Sequence, residues 1–142
     1  MTINVIKLGL SVLLVSMVAF SSCSKDKKDN PAGDSDEAAA QRLAGTYKGT
    51  IHVVSGPDYY NAEITITKES GNNVKIVPKS GQAYSTVTVK TAPVEAVLGT
   101  QNVAAENASL TLIYQVNNKS INYLIKKQGA SEIAYSFEGV RQ

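Results

Sequence analysis

Cysteine, histidine and the large aromatics are scarce in this chain. Its 142 residues hold one cysteine, one histidine, two phenylalanines and no tryptophan. With Cys23 alone, no intrachain disulfide can form and no thiol-based metal site can be built, so the fold must rest on its core. One histidine leaves too few imidazoles for a transition-metal centre. His52 alternates onto the same face as Lys48 and Thr50, which reads as an exposed strand position with no nucleophile or orienting acid in a motif around it. Charge of one sign is lacking too: 14 basic residues oppose 12 acidic ones, net +2, which gives no footprint for a nucleic-acid partner. The glycines never group as a phosphate-binding loop or a dinucleotide fingerprint. Nothing in the spacing pairs two carboxylates across a cleft, as glycoside hydrolysis requires: Glu63 and Glu138 alternate outward, and Asp58 and Glu106 fall in loops. The expectation is therefore no catalytic residues, no metal and no cofactor.

The first segment is rich in what the rest lacks. Lys7 precedes an apolar run, Leu8 to Phe20, broken only by Gly9, Ser11 and Ser16. The run is too short for an ordinary membrane span, which needs about 20 residues, and the small residues Ser21 and Ser22 follow it. Basic, apolar, small, then a cut is the order of an export signal. Phe20-Ser21-Ser22-Cys23 resembles the lipobox of bacterial lipoproteins, with phenylalanine where an aliphatic residue is usual. That resemblance implies a signal peptide over residues 1–22, lipidation of Cys23, and attachment to the membrane through that lipid. The expected location is the cell envelope, at the outer membrane, on its surface or its periplasmic face.

Composition changes abruptly after Cys23. Ser24 to Pro31 carries mixed charge and no apolar residue, so it has nothing to bury and is expected to be disordered. Residues 23–42 read as a flexible charged tether, which at ~5–6 Å × √n keeps the following domain within roughly 25 Å of its anchor. Within the tether, Asp36 to Leu43 has the signals of a short helix: Ser35 as N-cap, three alanines, and Gly45 just past the end. Barely two turns long, such a helix needs docking to persist.

Residues 43–142 are expected to form one all-β domain. Tyr47, Gly49, Ile51 and Val53 alternate with Thr46, Lys48, Thr50 and His52. Period two recurs at Ala62–Thr67, Ser109–Val116, Ile121–Ile125 and Ile133–Gly139, which is the pattern of strands with one face on a core. Weaker candidates are 74–77, 85–90 and 94–98. Turn signals separate them at 55–58, 70–73, 78–81, 117–118 and 128–131. Asn117-Asn118 reads as a two-residue hairpin with positive φ. The stretch 99–107 reads as the longest polar interruption. About eight short antiparallel strands fit a small up-and-down β-barrel, preferred to a sandwich because closure removes exposed edges.

Two segments carry a family resemblance. Leu43-Ala44-Gly45-Thr46-Tyr47-Lys48-Gly49-Thr50 resembles the opening strand, and Ile133 to Arg141 the closing strand, of the calycin-like domain of small bacterial lipoproteins. In the wider group, which includes lipocalins, a Gly-x-Trp opens the first strand and a late arginine packs across the tryptophan. Here Gly45 and Tyr47 stand in those places, with Arg141 as the arginine. The resemblance implies that these three residues close the base of the barrel, and that the barrel has a mouth.

Seven tyrosines are the main surplus. Tyr114, Tyr123, Tyr135 and Phe137 fall on inward phases, as core filling or as the lining of a site for a small hydrophobic or amphipathic ligand. Tyr59 and Tyr60 follow Gly56-Pro57-Asp58 at a loop tip or strand start, and read either as a partner-binding loop surface for a protein or glycan or as packing over the end of the barrel. Two functional readings stay open: a ligand-binding barrel, or an accessory lipoprotein or inhibitor whose barrel is filled and whose end loops bind a partner.

Overall fold

The computed structural model describes residues 35–142; the expected signal peptide, Cys23 and the first part of the tether lie outside them. The description begins with the helix α1 (Asp36–Leu43). The Ser35 hydroxyl accepts from the Ala38 amide at 3.1 Å, and Asp36, Glu37 and Arg42 sit at the helix ends where its dipole favours their charges. Docking supplies what length does not. Ala39, Ala40 and Leu43 are fully buried, the Asp36 carboxylate accepts from the Ala96 amide at 2.9 Å, and Glu37 pairs with Lys68 at 3.0 Å. Residues 35–42 are thus the cap and body of a packed helix. Gly45 is not a left-handed cap: Ala44 is extended at the helix end and Gly45 starts a strand. Glycine is needed there for space, because a Cβ would lie 2.6 Å from Arg141 Nε.

Nine antiparallel strands follow: β1 (Gly45–Val53), β2 (Asp58–Lys68), β3 (Asn73–Pro78), β4 (Lys90–Pro93), β5 (Glu95–Ala96), β6 (Val103–Glu106), β7 (Leu110–Gln115), β8 (Ser120–Ile125) and β9 (Tyr135–Arg141). They form one sheet in the order β4-β3-β2-β1-β9-β8-β7-β6-β5. Its two edge strands are halves of one segment bent at Val94. Lys90–Pro93 pairs with β3, and Glu95–Ala96 pairs with β6. One residue therefore joins the two edges, and the sheet is a nearly closed barrel of eight wall segments. Pairing of β1 with β9 brings the first and last strands together.

Three stretches differ from the sequence expectation. Residues 85–89 form a turn, a bend and irregular backbone instead of a strand, and within the 79–89 connection Tyr84 and Val87 are buried; these two side chains plug the barrel end rather than extend its wall. The supposed polar interruption contains β6, whose alanines hide the strand signal although Val103 and Ala105 point inward. The β7–β8 connection has four residues, and positive φ falls on Lys119, not on Asn117 or Asn118. Asn118 instead accepts from the Ser120 amide with its side chain, at 3.1 Å, the usual use of asparagine in a turn.

The barrel axis holds Tyr47, Tyr123, Tyr135 and Phe137, with isoleucines and leucines around them. Tyr123 stacks on Phe137 at 5.4 Å and meets Tyr135 edge-on at 5.9 Å. Helix α1 covers the end where β1 begins, the base. The 79–89 connection covers the other end: Tyr84 packs on Tyr59 at 5.8 Å, and the Tyr135 hydroxyl donates to the Thr88 carbonyl at 3.2 Å.

Candidate functional site

Tyr114, Tyr123, Tyr135 and Phe137 are 2%, 1%, 0% and 0% exposed. These side chains are packed in the barrel interior. Burial pushes the Tyr135 phenol up to about 12, and the Tyr123 phenol well above its ordinary value, with Tyr135 adding to the effect. The Tyr123 hydroxyl is buried and makes no hydrogen bond of good geometry, with the Tyr135 hydroxyl as a polar neighbour.

At the base, Tyr47 and Arg141 are direct partners across β1 and β9. Both turn to the last carbonyls of α1. The Tyr47 hydroxyl donates to Leu43 O at 2.7 Å, and Arg141 donates to Arg42 O at 2.9 Å and Ala44 O at 2.5 Å. A guanidinium at a helix C-terminus satisfies carbonyls that the helix itself leaves open. Gly45 leaves the room for it. The three residues and the helix end thus form one closed base.

Tyr59 and Tyr60 separate. A bulge lies between the Gly49–Ala62 and Ile51–Tyr59 pairs, so Thr50 faces two residues of β2. Asn61 takes φ +55° there. Tyr59 packs toward the core beside Tyr84, whereas Tyr60 projects outward, 71% exposed. Bulges re-aim side chains in this way, and only one of the two tyrosines belongs to the surface.

The outer wall carries an aligned row of residues. Glu95 on β5 pairs with Ala104, Ala104 with Ile113, Ile113 with Asn122, Asn122 with Glu138, and Glu138 with Thr50, which faces the Tyr60–Asn61 bulge. Three clefts follow this row. One, about 490 Å³, is bounded by Lys48, Tyr60, Asn61, Val140 and Gln142. The next, about 400 Å³, is bounded by Gln115, Ser120, Asn122 and Glu138. The third, about 410 Å³, lies over Ala104, Ile113 and Leu124 with Glu95 and Glu106 beside it. The second and third share Ile113 and Asn122. The first two adjoin where Gly49 and Gly139 pair and present backbone alone. A Cβ at Gly49 would fall inside contact distance of the Glu138 carbonyl, so the two strands approach too closely there for a side chain.

His52 stands on the same wall between two acids. Its Nδ1 is 3.0 Å from Asp58 and its Nε2 3.6 Å from Glu138. The Asp58 hydrogen bond, more than any other influence, raises its pKa above 6.5. Ser136 is its neighbour on β9, but the second ring nitrogen faces a carboxylate, the wrong partner for activating a hydroxyl.

No protein-family model, curated protein or solved structure matches this chain. Among the described residues no cluster of metal-ligating side chains occurs, and no helix is long and apolar enough to cross a membrane. Cys23 is outside the described residues. Sequence reasoning passed over Ile113 and Leu124, exposed on the wall. Their signal was legible: both fall on the outward phase of strands whose other apolar residues point in.

Proposed function

We propose that this chain is a lipid-anchored protein of the bacterial outer membrane, with a calycin-like barrel that acts through its outer wall on a partner instead of carrying a ligand inside. The observation that carries this reading is the filled interior: the four side chains that would line a ligand site are at most 2% exposed. Exposed Tyr60, Ile113, Leu124 and Val140 on the wall support it from the other side. Apolar side chains left on an outer surface are a common feature of interaction sites. The lipobox resemblance at Cys23 supports the anchor, and the Gly45-Thr46-Tyr47 opening with Arg141 supports the calycin-like assignment. We read the protein as non-catalytic, since His52 is engaged by acids on both ring nitrogens.

Native mass spectrometry of the lipidated protein, released from detergent micelles, tests the central point. The expected species carries polypeptide and anchor lipid only. A reproducible adduct identified as a hydrophobic or amphipathic molecule, lost on denaturation, would refute the filled barrel. The anchor is tested separately by Cys23→Ala, which should move the protein from the detergent phase to the aqueous phase of a two-phase partition.

A further inference from the structure

We propose that the furrow across the outer wall, from Tyr60 at one end to Glu95 at the other, binds a neutral oligosaccharide chain. This rests on the reading of the outer wall as the working surface, and adds the class of ligand. The row from the Tyr60 bulge to Glu95 crosses seven strands. Six inter-strand steps of ~4.8 Å give it a length of roughly 29 Å along the curve of the barrel. A site of that length suits a linear chain and not a single small molecule.

Its chemistry changes along the length. Tyr60, 71% exposed and pushed out by the bulge, offers an aromatic face with a polar edge, on which the C–H face of a sugar ring can lie. Around it and beyond it come neutral hydrogen-bonding groups: Asn61, Gln142, Ser120 and Asn122. They donate and accept, as hydroxyl-rich polymers do. Ile113, 48% exposed, gives the far end an apolar contact. Formal charge is sparse and mixed. Lys48 and Glu138 oppose each other in sign, Glu106 is paired with Lys126, and Glu95 borders the far end. Nothing there favours a polyanion, whose repeated charges would need a basic lining.

An extended peptide fits less well. Peptides gain most of their affinity for sheets by adding as a strand along an open edge. This furrow runs across strands whose backbone groups are already engaged in the ladders on either side.

The test is isothermal titration of the full-length lipidated protein in detergent micelles with maltohexaose, cellohexaose, laminarihexaose and N-acetylchitohexaose. At least one should bind, and Tyr60→Ala should weaken it roughly tenfold, the loss expected when an aromatic contact is removed. Asn122→Ala, on a different strand, should weaken it as well. Val54→Ala, exposed on the turn after β1, should leave it unchanged. Circular dichroism of each variant separates loss of binding from loss of fold. Failure of all four sugars, or binding indifferent to both furrow variants, overturns the proposal. A protein cross-linked through position 60 or 113, with no sugar bound, overturns the ligand class and leaves the outer-wall reading standing. A hydrophobic or amphipathic adduct in the native spectrum that persists in Tyr60→Ala removes the reading on which both depend.

Discussion

Two core tyrosines place their hydroxyls in opposite circumstances, and single-atom changes should separate them. Tyr47 donates to Leu43 O at the end of α1, so Tyr47→Phe leaves a helix-end carbonyl short of a partner and should cost about 1–2 kcal/mol. Tyr123 has a buried hydroxyl that makes no hydrogen bond of good geometry, although the Tyr135 hydroxyl is near it. Tyr123→Phe keeps the ring stacked on Phe137 and removes only the desolvated oxygen, so it should stabilise by about 1 kcal/mol. Urea midpoints measure both, and a drop of equal size in the two variants would defeat the distinction. The surface residue His52 supplies a second test at this scale. Its pKa is raised, chiefly by Asp58. The stabilisation is therefore fully present below 6.5, the unfolded value, and is lost as pH rises through the folded value. An NMR titration of the imidazole should show a midpoint above 6.5, and Asp58→Asn should bring it down.

Helix α1 is the element on which the base depends. It is too short to stand alone, yet Leu43 is fully buried and Ala44 alone separates it from β1. Leu43→Ala should destabilise by about 2–5 kcal/mol, the usual range for a fully buried leucine. Hydrogen exchange should then rise first in α1 and in β5, which is held to the helix by Asp36 and Ala96; a uniform rise across all strands would show that the helix is not a separate unit. This element was legible in the sequence because its cap, alanines and charges agree. β1, the second half of β2 and the strands from β7 to β9 were legible through alternation, and β3 only as a weaker candidate. β6 was not, because alanine contributes little β-propensity and its role is set by its neighbours. Nor was the 79–89 plug, where a β-rich composition serves packing across the barrel end. The Tyr59–Tyr60 split needed the structure outright, since one bulged residue reverses the inward and outward phase on its far side. Ile113 and Leu124 carried their signal in the open, but an outward apolar residue among inward ones looks like part of the same core until the register is known.

For the whole molecule, a barrel filled with phenols implies an alkaline limit. Tyr47, Tyr123 and Tyr135 all have pKa values raised by burial above 10, the ordinary value of the tyrosine phenol. In the unfolded chain each would lose its proton near pH 10, whereas in the folded barrel it keeps it. Between those values the native state binds more protons, so stability is complete below pH 10 and falls as pH rises through the folded values. Each such group contributes a slope of about 1.4 kcal/mol per pH unit, so three together give about 4. Against a total stability of about 5–15 kcal/mol, cooperative unfolding is expected within a few pH units above 10. The absorbance of tyrosinate measures it directly. Part of the ionisation of the seven tyrosines should be delayed until the β-sheet circular dichroism is lost, and the two signals should then move together. Tyr123→Phe removes one of the three protons and should flatten the slope by about a third. If the phenols instead titrate fully while the sheet remains intact, water has access to the barrel interior, and the filled core that directs function to the outer wall would have to be abandoned.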